Sequence, residues 1–183
     1  MKMLNASSKA VLVQALTAIG SGVAGFVAMP RVKLLRYRMN RATAAVWMLN
    51  GWIGLNSLYF TEDASLTSPW GLSIIAHEVC HLRQGWFRAF SVLGELEAWQ
   101  LGIAMQYRLQ GEPIPEKLKP LMDLQCAMDR EVLVKARAFM VDYAGTGYRI
   151  DLYPLYPLPQ ELKYKADRFW NWVRKHVTKL WPM

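Results

Sequence analysis

Residues 68–97 read SPWGLSIIAHEVCHLRQGWFRAFSVLGELE, and within them stands His77-Glu78-Val79-Cys80-His81. Ser68-Pro69 is a helix start, a capping hydroxyl followed by a residue that needs no N–H in the first turn, and Gly85 is a stop. On a helix, positions i and i+4 share one face, so His77 and His81 can reach one metal ion. Zinc suits two imidazoles with a further protein ligand and an open position. Glu78 then lies beside the ion, placed to act as general base toward water in the hydrolysis of an amide. Leu72, Ile75, Val79, Leu82 and Trp86 recur at spacings of three and four on the opposite side, which predicts one face anchored in a core and the other presenting ligands.

Zinc requires a third protein ligand. Cys80 is rotated by about 80° from the midpoint of the two histidines at 100° per residue, and reads as a small buried side chain. His176 lies far downstream on a basic amphipathic segment and reads as a surface residue. Gly94-Glu95-Leu96-Glu97-Ala98-Trp99 supplies better candidates. Glu97 shares an arc with Gln100, Ala104 and Arg108, an arc that reads as solvated. Glu95 is flanked by Ala98, Trp99 and Gly102, and the small residues Gly94, Ala98 and Gly102 would let another helix approach closely. A buried carboxylate needs a partner, and a cation supplies one. Glu95 is therefore preferred as third ligand, with Glu97 as the alternative.

Working outward, residues 31–37 (RVKLLRY), Ala44–Leu49 and Ile53–Phe60, with an Asn50-Gly51 turn signal, predict a small N-terminal sheet or hairpin. Helices are predicted over Val92–Gln110, Leu121–Tyr143 and Gln160–Leu180. Glu112–Pro120 reads as a loop and Tyr153–Pro159 as an extended segment on the surface. The fold class is α+β, mostly α, in one domain over residues 1–183.

Hydrophobic residues make up 53% of the 183, which excludes a disordered chain. Two cysteines, Cys80 and Cys126, make no disulfide framework and read as reduced thiols, suited to the cytoplasm. The net charge of +8 is uneven: Lys2, Lys9, Arg31, Lys33, Arg36, Arg38 and Arg41 precede the first carboxylate, Glu62, and the remaining 15 bases nearly balance the 14 acids. No nucleic-acid recognition motif accompanies the basic segment, so no specific nucleic acid is expected. Residues 10–29 are long and apolar enough to span a membrane, and the flanking bases would keep the rest of the chain on the cytoplasmic side. The same stretch has a large-residue face (Leu12, Leu16, Ile19, Val23, Phe26, Val27) and a small, weakly polar one, and the short connection at Pro30 to the following strand favours a helix packed on its own domain over a membrane span.

The HExxH helix followed by a Glu-x-x-Ala helix resembles the gluzincin clan of zinc metallopeptidases, and the short chain is most similar to its minimal, single-domain members. The resemblance covers about residues 40–110. It implies a zincin-like fold and a zinc-dependent endopeptidase acting on peptide or protein substrates, with His77, His81 and Glu95 as ligands and Glu78 as base. It also implies a sheet edge that binds extended substrate, matched to the segment near Leu58–Phe60. Many relatives carry an acid four residues beyond the ligand glutamate, where this chain has Trp99. Tyr107, Tyr143, Tyr148 and His176 are the candidate oxyanion donors. The competing expectation is a catalytically weak or inactive zinc-binding relative that serves as a protein-binding or membrane-associated module.

Overall fold

Ser68 starts the central helix as expected. In the computed structural model, which describes residues 31–35, 43–48, 51–60, 68–145 and 148–177, its hydroxyl accepts from the Gly71 amide at 3.0 Å and Pro69 opens the helix α1, Pro69–Gln84. The apolar stretch 10–29 lies outside the described residues. Among the described residues no helix is long and apolar enough to cross a membrane.

Three short strands precede α1: β1 (Arg31–Leu35), β2 (Ala45–Met48) and β3 (Trp52–Asn56). Their order is β1-β3-β2, with β1 parallel and β2 antiparallel to β3, so β2 is an edge strand. β3 stops at Asn56, earlier than expected. The Asn56 side chain accepts from the Leu58 amide and donates to the Thr43 carbonyl at 2.8 Å, while the Asn56 carbonyl takes the Tyr59 and Phe60 amides. Leu58 and Tyr59 therefore form a turn, and Phe60 points into the core. The strand beside α1 is β2, which corrects the expectation that Leu58–Phe60 would be the edge at the site.

Gly85, at φ 71°, breaks α1. A single-turn helix α2 (Trp86–Ala89) carries the chain round to α3 (Val92–Gln110), which Ser91 caps by accepting from Gly94 N at 3.1 Å. Among the described residues α1 and α3 make the most extensive helix–helix contact. The stripe on α1 is buried at Leu72, Ile75 and Val79, but Leu82 is half-buried and Trp86, on α2, is exposed. Two cores result. One joins the sheet to α1 and Met105. The other joins Val92, Leu93 and Leu96 to Leu133, Ala136 and Met140 and to the Ile150–Tyr156 region.

The single helix expected over 121–143 is two, α4 (Lys119–Met122) and α5 (Arg130–Ala144). Asp129 is a start signal inside the run: its carboxylate accepts from the amides of Glu131 and Val132. The Gln100 amide donates to the carbonyls of Leu121 and Leu124, both at 2.8 Å, and holds the intervening turn. The segment expected on the surface at Tyr153–Pro159 instead buries Leu155 and Tyr156. Its carbonyls at Pro154 and Leu155 accept the Val92 and Leu93 amides, the free donors of the α3 N-terminus. The last helix, α6, runs Leu158–Val177.

Candidate metal centre

The one-turn link between α1 and α3 fixes the site, because it brings the first turn of α3 against the last turns of α1. Only glycine fits at one of these contacts: a Cβ on Gly94 would lie 2.0 Å from the Arg88 carbonyl oxygen. Further along, a Cβ on Gly102 would sit 3.2 Å from the Ser73 carbonyl oxygen. The small residues expected to permit a close approach do so, and Ala98 is fully buried between them.

His77, His81 and Glu95 converge. Their nearest ligand atoms are 3.0 Å apart for the two Nε2 atoms, 3.5 Å from His77 Nε2 to Glu95 Oε2 and 3.4 Å from His81 Nε2 to Glu95 Oε1. Two ligands about 2.05 Å from a tetrahedral ion stand about 3.3 Å apart, close to the separations found here. The group could hold a metal ion. The His81 side chain is 2% exposed and that of His77 17%, so the approach to the cluster lies on the His77 side.

His81 and Glu95 are held from behind. His81 Nδ1 lies 3.0 Å from Gln84 Oε1, an acceptor, so the proton sits on Nδ1 and Nε2 keeps its lone pair for a cation. The Gln84 amide nitrogen in turn donates to the Gly94 carbonyl and to Glu97, each at 2.8 Å. Glu97 is thus committed to Gln84 and to the Arg88 guanidinium, while Ala104 and Arg108 on the same arc are exposed as expected. It does not join the cluster. Trp99, where relatives of the resembling clan carry an acid, donates its indole N–H to the Tyr148 hydroxyl at 2.7 Å, and that hydroxyl donates to Glu95. Cys80 is half-buried with its thiol against the Gln84 amide, outside the ligand group. His176 is on α6, bonded to the Trp172 carbonyl.

The electrostatics follow from this packing. Burial works against ionising Glu95, but hydrogen bonds and charge from His77 and His81 together outweigh it and hold the carboxyl well below the usual range. His81 is the counterpart: burial disfavours its charge, and Glu95 overcomes that and raises its pKa. Glu78 is raised by burial, against the lowering effect of both histidines and of a backbone hydrogen bond from Trp47 on β2. Burial first, and then the Glu95 charge, push the Tyr148 hydroxyl far up, so it stays a donor.

Two clefts flank the cluster, and Thr43, Ala45, His77, Glu78 and Tyr148 line both. The larger, about 370 Å³, is walled mainly by aromatic and aliphatic side chains, among them Trp70, Ile74, Ile103, Tyr107 and Tyr143. The smaller, about 240 Å³, contains Val46 and Trp47 of β2, His81, Glu95 and Arg149. The Trp47 ring lies over His81, with centroids 6.1 Å apart. Sequence reasoning missed Gln84, Trp47 and Arg149. Gln84 was detectable, since it lies three residues beyond His81 on the same helix. Arg149 sits in a short 3-10 turn, Arg149–Leu152, and no periodicity marks it.

Comparison with family models, with curated proteins and with solved structures gives no match.

Proposed function

We propose that this protein is a zinc-dependent peptidase of gluzincin type that hydrolyses peptide bonds in extended substrates. The observation that carries the reading is the convergence of His77, His81 and Glu95 at tetrahedral spacing, with Glu78 lining the same clefts. Two imidazoles and a carboxylate are the donor set of a hydrolytic zinc site, and closed structural sites use more thiolate. Neither thiol takes part here.

When bound, zinc would lower the pKa of water and polarise a carbonyl oxygen. The remaining work belongs to the chain. Glu78, which lines both clefts beside the cluster, takes the proton from attacking water and returns it to the leaving amine. β2 offers its edge beside the site, so a substrate strand can align there through main-chain hydrogen bonds. The large apolar cleft then takes a bulky apolar side chain on one side of the cleaved bond. Tyr148 is occupied with Glu95 and acts by orienting that ligand. Arg149 contributes a cation to the cleft for developing negative charge.

The test is Glu78→Gln, assayed for metal content by mass spectrometry and for cleavage of a denatured protein mixture. The wild type should cleave, and the variant should keep its zinc and lose cleavage. Zinc-loaded wild type that leaves every substrate intact overturns the reading and leaves a binding module.

A further inference from the structure

α6 docks on the protein by the side opposite to its apolar one. Its buried contacts run through Tyr164, whose ring lies 5.7 Å from that of Tyr156 and beneath the Arg130 guanidinium, and through the half-buried Glu161. Leu158, Leu162, Ala166, Phe169 and Val173 recur every three or four residues on a separate arc. Tyr164 lies about 160° round the helix from Leu162. Most of the arc therefore faces away from the body: Leu162 is 59% exposed and Phe169 57%, with Trp170 and Trp172 on its flanks at 58% each, and Val173 alone is half-buried. Five bases, Lys163, Lys165, Arg168, Arg174 and Lys175, stand on the helix against two acids, Glu161 and Asp167. α2, which α6 touches, exposes Trp86 and Phe87 as well.

A helix of 20 residues with this much charge cannot span a bilayer. An outward apolar arc bordered by tryptophans and bases instead has the make-up of a helix lying in a lipid headgroup layer. Its apolar residues enter the acyl boundary, its indoles sit at headgroup depth and its ammonium groups meet anionic lipid. We propose that α6 is a membrane-surface anchor that seats the protein on anionic bilayers. Charge complementarity selects lipid as the occupant: the bases bordering the arc would repel a second copy of the same helix.

The experiment is co-sedimentation of the full chain with vesicles of phosphatidylcholine alone and with about a quarter phosphatidylserine. The wild type should pellet with the anionic vesicles, pellet poorly with neutral ones and be released between about 0.1 and 0.5 M salt. L162S/F169S, which alters only exposed side chains, should weaken binding about tenfold or more. K163E/K165E, at the two borders of the arc, should abolish the preference for anionic lipid. No pelleting of the wild type overturns the proposal. So does equal pelleting of L162S/F169S, which would assign lipid binding to another segment such as residues 10–29, and so does equal binding to both vesicle types. None of these readouts depends on zinc or on hydrolysis.

Discussion

Tyr148 shows how a single hydroxyl can matter to a site it does not ligate. It accepts a hydrogen bond from the Trp99 indole and donates one to Glu95, so one bond fixes the rotamer of the third ligand. Tyr148→Phe leaves a buried indole N–H without its acceptor and frees the carboxylate, which should destabilise the protein by about 1–3 kcal/mol and weaken zinc binding by about 10–100-fold. Competition with a fluorescent chelator measures the second effect. Gln84→Leu should produce a loss of metal affinity of the same order, through the tautomer of His81. The His81–Glu95 pair also sets the pH response. In the metal-free protein the raised His81 pKa contributes stability that is full below the ordinary imidazole pKa of about 6.5 and is lost as pH rises through the folded value. The depressed Glu95 contributes stability that is present above the ordinary carboxylate range and is lost only in strong acid. The Tm of metal-free protein should thus fall from mildly acidic to alkaline pH, and His81→Gln should flatten that slope. Zinc should reverse it, because a protonated imidazole cannot ligate.

At the scale of elements, the link between α1 and α3 is the sensitive part. Gly94→Ala forces a methyl group onto the Arg88 carbonyl, a backbone atom that no rotamer change can move, and should cost about 2–3 kcal/mol by urea denaturation. Ser68→Ala, at the far end of α1, removes a cap bond and should cost about 1 kcal/mol. α1 and α3 were legible because their signals are local: Ser68-Pro69 and Gly85 bound the first, the apolar run of Val92–Gln110 stops at a glycine, Gly111, and the ligands project from these two helices. The region from 119 to 144 was misjudged because apolar spacing runs through the turn, and only the Asp129 cap and the reach of Gln100 break it. β3 was overextended because Leu58 and Phe60 continue the strand pattern, while the side chain of Asn56, hydrogen-bonded within the turn, ends it. The support of the ligands was the least legible feature. Trp99–Tyr148 spans 49 residues of sequence, and no spacing rule connects them.

Among the described residues two cores flank the buried group of Glu78, His81 and Glu95. Burying Glu78, His81 and Glu95 without a cation leaves that cluster dependent on mutual pairing. A bound metal should therefore stabilise the entire fold. Zinc held at about a thousand times its Kd adds about 4 kcal/mol, and for a chain of this size chelation should lower Tm by roughly 10 °C, read by calorimetry before and after EDTA. His77→Ala should leave a Tm that EDTA no longer moves.

The carbonyls of Pro154 and Leu155 close the start of α3, and Tyr148 steadies the carboxylate on that same turn. Every ligand has been synthesised by residue 95, but the groups that hold the third one in place are made more than fifty residues later. A nascent chain would therefore leave the ribosome with its donors present and its scaffold incomplete. Full metal affinity, and any hydrolytic power that follows from it, would arrive only after the segment around Tyr148–Leu155 has been made and folded back onto α3.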